Sequence, residues 1–94
     1  MKVGDIILYQ PTIDLVIIDE LITENYVLIT NLYENTQFIC KNETLRPLTK
    51  KQIFGYLERL REYVITKNDT QQCIIKNNWA KYNNVKDIVE GVSQ

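Results

Sequence analysis

Any chemistry in this 94-residue chain must come from a short set of side chains. It has no His, which removes imidazole general bases, Ser-His triads and histidine metal sites. Its one Ser is Ser93, next to the C-terminus, and its three Gly (Gly4, Gly55, Gly91) are too scattered for a phosphate-cradling loop. Cys40 and Cys73 stand 33 residues apart, a spacing that matches neither a zinc site nor a redox pair. We read them as free, buried thiols of a reducing cytoplasm. Carboxylates remain, as Asp5, Asp14, Asp19, Glu20 and Glu24. Acidic groups among short strands ordinarily serve as solvated surface. The chain therefore reads as a non-enzyme without cofactor or metal.

What is left is recognition. Trp79 and Tyr82, with Ile75, are of the types that anchor interfaces, and helical spacing puts them on one apolar arc. These three are the candidate partner-binding residues, for a protein partner or a second copy of the chain. The alternative is a nucleic-acid contact through Lys50, Lys51, Arg59, Arg61, Lys76 and Lys81. Net charge is −1, but it is unevenly spread. Residues 1–49 carry three basic side chains against seven acidic ones, whereas residues 50–94 carry eight against five. Phosphate backbones are bound mainly through Lys and Arg, so the first half is a poor nucleic-acid surface and the second a modest one.

The elements that position these residues divide at Leu45–Gln52. Before it, apolar residues alternate or cluster as in strands. The expected strands are Asp5–Gln10, Ile13–Ile22, Tyr26–Tyr33, Gln37–Lys41 and a short Leu45–Leu48, with turns at Gln10-Pro11-Thr12, Thr23-Glu24-Asn25 and Glu34-Asn35-Thr36. In the second strand Leu15 and Ile17 alternate with Val16 and Ile18, so both faces should be buried. Five short strands in under 50 residues suit a small barrel that hides its edges by curling.

Residues 2–48 resemble an SH3-like (Tudor- or KOW-like) barrel. The features that carry the resemblance are Val3-Gly4-Asp5-Ile6-Ile7 at the start, and Phe38-Ile39-Cys40 followed by Leu45-Arg46-Pro47-Leu48 at the end. The link between the first two strands is short for an SH3 domain. Tudor-like members hold methylated cations in aromatic cages, and the resemblance would offer Tyr9, Tyr26, Tyr33 and Phe38 as rings.

After the junction the period becomes helical. Pro47 ends the ladder, Thr49 and Gln52 form a capping box, and Leu48 with Ile53 a hydrophobic staple. The first helix should run to about Thr66 with Ile53, Leu57, Leu60 and Val64 as its core stripe, widened by Tyr56 and Tyr63. Gly55 costs roughly 1 kcal/mol in a helix interior unless it permits close packing. Asp69 or Thr70 caps a second helix reaching Val89 or Glu90, whose apolar arc holds Ile74, Ile75, Trp79, Tyr82, Val85, Val89 and Val92. Asn77-Asn78 and Asn83-Asn84 are poor helix formers, so a break near Asn83 or a hairpin over Cys73–Tyr82 stays open.

The expectation is an α+β chain. A five-stranded SH3-like antiparallel barrel (1–48) is followed by two amphipathic helices packed as a hairpin (49–94), in one compact unit. Without an export signal or a membrane span, the chain reads as a cytoplasmic binding protein. Ile, Asn, Lys and Tyr supply 36 residues against a single Ala. That AT-rich codon bias points to an accessory, regulatory or inhibitor protein of a bacterium or phage. A structural part of a phage particle is the third reading.

Overall fold

The computed structural model describes residues 1–80, with side chains as far as residue 77. Five strands form one antiparallel sheet: β1 (Ile6–Tyr9), β2 (Asp14–Leu21), β3 (Tyr26–Asn31), β4 (Gln37–Lys41) and β5 (Leu45–Arg46), in the order β4-β3-β2-β1-β5. Two helices follow, α1 (Lys50–Ile65) and α2 (Asp69–Ala80). The architecture is α+β, as the sequence implies.

The sheet cannot be flat. Its two end strands, β4 and β5, are consecutive in the chain and separated only by a 3-10 turn at Asn42–Thr44. A flat sheet would hold them about 19 Å apart, four spacings of about 4.8 Å. The four chain steps from Lys41 to Leu45 span about 14 Å at most. The turn is tied at both sides of the curl: Asn42 N–H donates to Asn25 O at 2.9 Å and Gln10 N–H to Thr44 O at 2.9 Å. Curling gives the sheet an inner and an outer face.

β2 is buried on both. Val16 and Ile18 join Ile7, Val27, Ile29, Cys40 and Leu45 in the inner cluster, to which all five strands contribute. Leu15 and Ile17 point outward with Ile6 and Leu32, against Leu57, Leu60 and Val64 of α1 and Ile75 of α2. All four β2 side chains have no exposed surface. Each such burial stabilises by roughly 1.5–3 kcal/mol, so β2 is the spine of the molecule.

The helix start matches the expectation in detail. Gln52 N–H donates to Thr49 Oγ1 at 3.2 Å, and Thr49 N–H to Gln52 Oε1 at 2.9 Å. Leu48 and Ile53 both pack on the outer cluster, which fixes the angle of α1 across the sheet.

Several boundaries differ for identifiable reasons. β3 stops at Asn31, two residues before the expected Tyr33, because Asn31 Oδ1 accepts from the N–H groups of Tyr33 and Glu34 and bends the chain. α2 is capped not by Asp69 or Thr70 but by Asn68, whose Oδ1 accepts from Gln71 N–H at 2.9 Å. Gly55 is exposed, and a Cβ there would meet nothing within 4 Å, so it serves no close packing. Both cysteines are free as expected, but only Cys40 is buried, since Cys73 faces outward on α2. The far end of the second helix and its apolar positions beyond Ile75 lie outside the described side chains.

Candidate functional site

α2 meets the rest of the protein at a seam with α1 and the β3–β4 turn, and the seam leaves a groove. It is a cavity of about 250 Å³ lined by Tyr33, Glu34, Tyr63, Lys67, Gln71, Ile74 and Ile75. Its construction starts at Asn31, a buried polar residue at 5% exposure. Asn31 Nδ2 donates to Asp14 Oδ2 at 2.9 Å, while its Oδ1 takes the two turn N–H groups. Asn35, with φ at 59°, supplies the left-handed residue that closes the turn. The result aims Tyr33 towards the helices.

There Tyr33 meets Tyr63 edge to face, with ring centroids 5.5 Å apart and planes at 67°. The Lys67 ammonium lies 4.4 Å from the centre of the Tyr63 ring. Burial, followed by the nearby Asp14 carboxylate, pushes the Tyr33 hydroxyl above its ordinary value. At neutral pH it is thus a hydrogen-bond donor and acceptor, never a base. On the other wall Ile74 is 51% exposed, whereas its neighbour Ile75 is 6% exposed and holds α2 to the core. Among the described residues, the groove pairs an exposed aliphatic side chain and two tyrosines with a polar rim of Lys67, Glu34 and Gln71.

Two larger hollows have a different character. One, of about 380 Å³, is lined among the described residues by Asn25, Tyr26, Lys41, Asn42 and Glu43, with Tyr26 as their single ring. Beside it, Asn42 Nδ2 donates to Glu24 O, and Asn42 Oδ1 is buried with no hydrogen-bond partner among the described residues. The other, of about 420 Å³, is bounded by Met1, Asp5, Ile6, Ile7, Pro47, Leu48, Lys50 and Ile53, none of the described lining residues being aromatic.

The residues expected to bind a partner are redistributed. Ile75 belongs to the core between α1 and the sheet and has almost no surface to offer. The Trp79 side chain, Tyr82 and Lys81 lie outside what the structure describes. Among the basic candidates, Lys50, Lys51, Arg59 and Lys76 are exposed and Arg61 is half-buried. They do not form one stripe. Arg59 and Arg61 stand about 200° apart around α1, with Glu58 and Glu62 at angles among the lysines and arginines. Arg59 lies 5.5 Å from the Tyr56 ring centre.

The aromatic set is likewise divided. Tyr9 and Phe38 pack edge to face at 5.2 Å against the inner cluster, and Tyr33 is engaged with Tyr63. Tyr26 pairs across from Lys41, three positions along β4 from Phe38 and so on the opposite face of the sheet. The four rings expected of a cage are not brought together.

The sequence offers Tyr33 as a cage ring and Tyr63 and Ile74 as positions on apolar stripes, but nothing in it joins them with Lys67 as one site. The available signal was Asn31 two residues before Tyr33, an Asx-turn spacing inside what otherwise looked like strand. Among the described residues, no three His, Cys, Asp or Glu side chains could hold a metal ion, and no helix is long and apolar enough to cross a membrane. Comparison of the chain with protein-family models, curated proteins and solved structures finds no match.

Proposed function

We propose that this chain is a small binding protein without catalytic activity, and that it acts by gripping a protein partner through the groove at the α1–α2–Tyr33 seam. One observation carries the reading. Ile74 stays half exposed beside two tyrosines that are already held in place, with a polar rim around them. Pre-positioned aromatic and aliphatic side chains inside a polar border are what a protein contact uses. Ile75 serves the site indirectly, by fixing the wall that Ile74 lines.

The sheet half is, in this reading, an SH3-like barrel that serves as a rigid platform. Support comes from its end strands being consecutive in the chain and from one inner cluster fed by all five strands. The free thiols, one of them exposed, suit a reducing cytoplasm. The codon bias suits an accessory or inhibitor protein of a bacterium or phage. The nucleic-acid reading has less support, because the basic side chains of α1 spread around the helix and alternate with acidic ones.

The test is retention from a host lysate on immobilised protein. One host protein should be retained by the wild type and by Ile65→Asp, which alters an exposed isoleucine on α1 instead. It should be lost with Ile74→Asp. Equal retention by both variants would overturn the groove as the contact. Retention only of nucleic acid, released by salt, would overturn the protein-binding reading.

A further inference from the structure

β4 is an end strand of the sheet, and among the described residues no strand pairs with its far side. Its pairing with β3 shows which backbone groups point there. Asn31 N–H bonds to Thr36 O and Asn42 N–H to Asn25 O, so these are hydrogen-bonded pairs of the ladder. Such pairs alternate with non-bonded ones. The register Tyr26↔Lys41, Leu28↔Ile39 and Thr30↔Gln37 therefore consists of non-bonded pairs. Gln37, Ile39 and Lys41 turn their N–H and C=O groups away from β3, and of these the Lys41 C=O accepts from Thr44 Oγ1 at 2.6 Å. The Ile39 side chain is also 59% exposed, on the outer face beside Leu28. An apolar side chain at the centre of an open edge is the arrangement that templates strand addition, and natural edges usually avoid it.

We propose that this edge pairs with β4 of a second copy of the chain, antiparallel about a two-fold axis at Ile39. The register follows from the side chains. Centred on Ile39, it sets Ile39 against its own copy and extends a row Leu28–Ile39–Ile39–Leu28 across four strands. It also sets Lys41 of each copy against Gln37 of the other. Gln37 Nε2 donates to Asp19 Oδ2 at 3.0 Å, and Thr30 Oγ1 donates to the same oxygen. The lysine of one copy thus comes within reach of the Asp19 carboxylate of the other, twice over by symmetry. Moving the centre to Lys41 would place two ammonium groups directly opposite, and moving it to Gln37 would pair two amides and leave Ile39 uncovered. Of the registers centred on a residue whose backbone faces outward, the one at Ile39 alone is complementary in this way.

Asp19 can reach there because β2 has a bulge between Ile18 and Glu20, where the register shifts. The extra residue is turned towards Thr30 and Gln37. The bulge therefore supplies the negative half of the proposed contact.

Sedimentation equilibrium of the full chain over micromolar to millimolar concentrations tests the proposal. The expected result is a reversible dimer. Ile39→Lys, which sets like charges face to face at the axis, should abolish it. Lys41→Glu should weaken it about tenfold, because two exposed ion pairs become repulsions. Ile74→Asp should leave the dimer intact, and Ile39→Lys should leave partner retention intact, so the two surfaces fail separately. A chain that stays monomeric throughout, or a dimer that Ile39→Lys does not disturb, overturns the proposal. The first result would mean that the edge does not pair with its own copy. The second would locate the self-contact elsewhere.

Discussion

Asn31 shows how much one polar residue can organise. It ends β3, closes the turn on Tyr33 and Glu34, and is anchored by Asp14 on β2, all from a nearly buried position. Asn31→Ala should cost about 1–3 kcal/mol, since it leaves two turn N–H groups unpaired. Urea denaturation measures this, and no loss would contradict the role. Gly55 is the opposite case, an exposed helix-interior glycine with open space where its side chain would be. Gly55→Ala should raise stability by up to about 1 kcal/mol, seen as a higher denaturation midpoint. A sequence names both residues but cannot give their environments. Asn31 lies in a β-like run and reads as strand, and Gly55 reads as either a packing device or a cost.

At the scale of elements, the junction at Leu45–Gln52 was legible because its signals are local. A proline, a capping box and a staple each need only a few neighbouring residues. Thr49→Ala should lower stability by about 1 kcal/mol by leaving the N–H of Gln52 without its acceptor. An unchanged melting curve would mean that the box is not formed in solution. The core stripe of α1 was legible for the same reason, since period 3.6 is written into the chain. The role of α2 was not. Its apolar arc groups Ile74 with Ile75, yet the structure buries one and leaves the other half exposed. That split depends on where α1 and the Tyr33 turn stand, a long-range fact that no helical pattern contains. The groove was hidden for that reason.

Across the whole molecule, two apolar clusters share one strand, with β2 feeding the inner cluster by Val16 and Ile18 and the outer by Leu15 and Ile17. Sheet and helices should therefore unfold together. Each cluster has a titratable group packed in or against it. Burial raises Cys40 in the inner cluster and Tyr33 beside the outer one, each above its ordinary value of 9.0 and 10.0 respectively. The sign follows from the charged form being the disfavoured one. Both groups stay neutral in the folded state at pH values where they ionise in the unfolded chain. Their contribution is whole below about pH 9 and is lost as pH rises through the folded values. Denaturation midpoints should hold steady from pH 7 to about pH 8.5 and fall above it, and Tyr33→Phe should reduce the fall. A midpoint that rose with alkali would contradict the burial of both groups.

The central claim is that Ile74, beside Tyr33 and Tyr63, faces a protein partner. A photo-reactive benzoylphenylalanine placed at position 74 in the living host, compared with the same residue at position 65, tests it most directly. One discrete cross-linked product is expected from position 74, and none in common from position 65. No product at 74, or the same product at both positions, would contradict it.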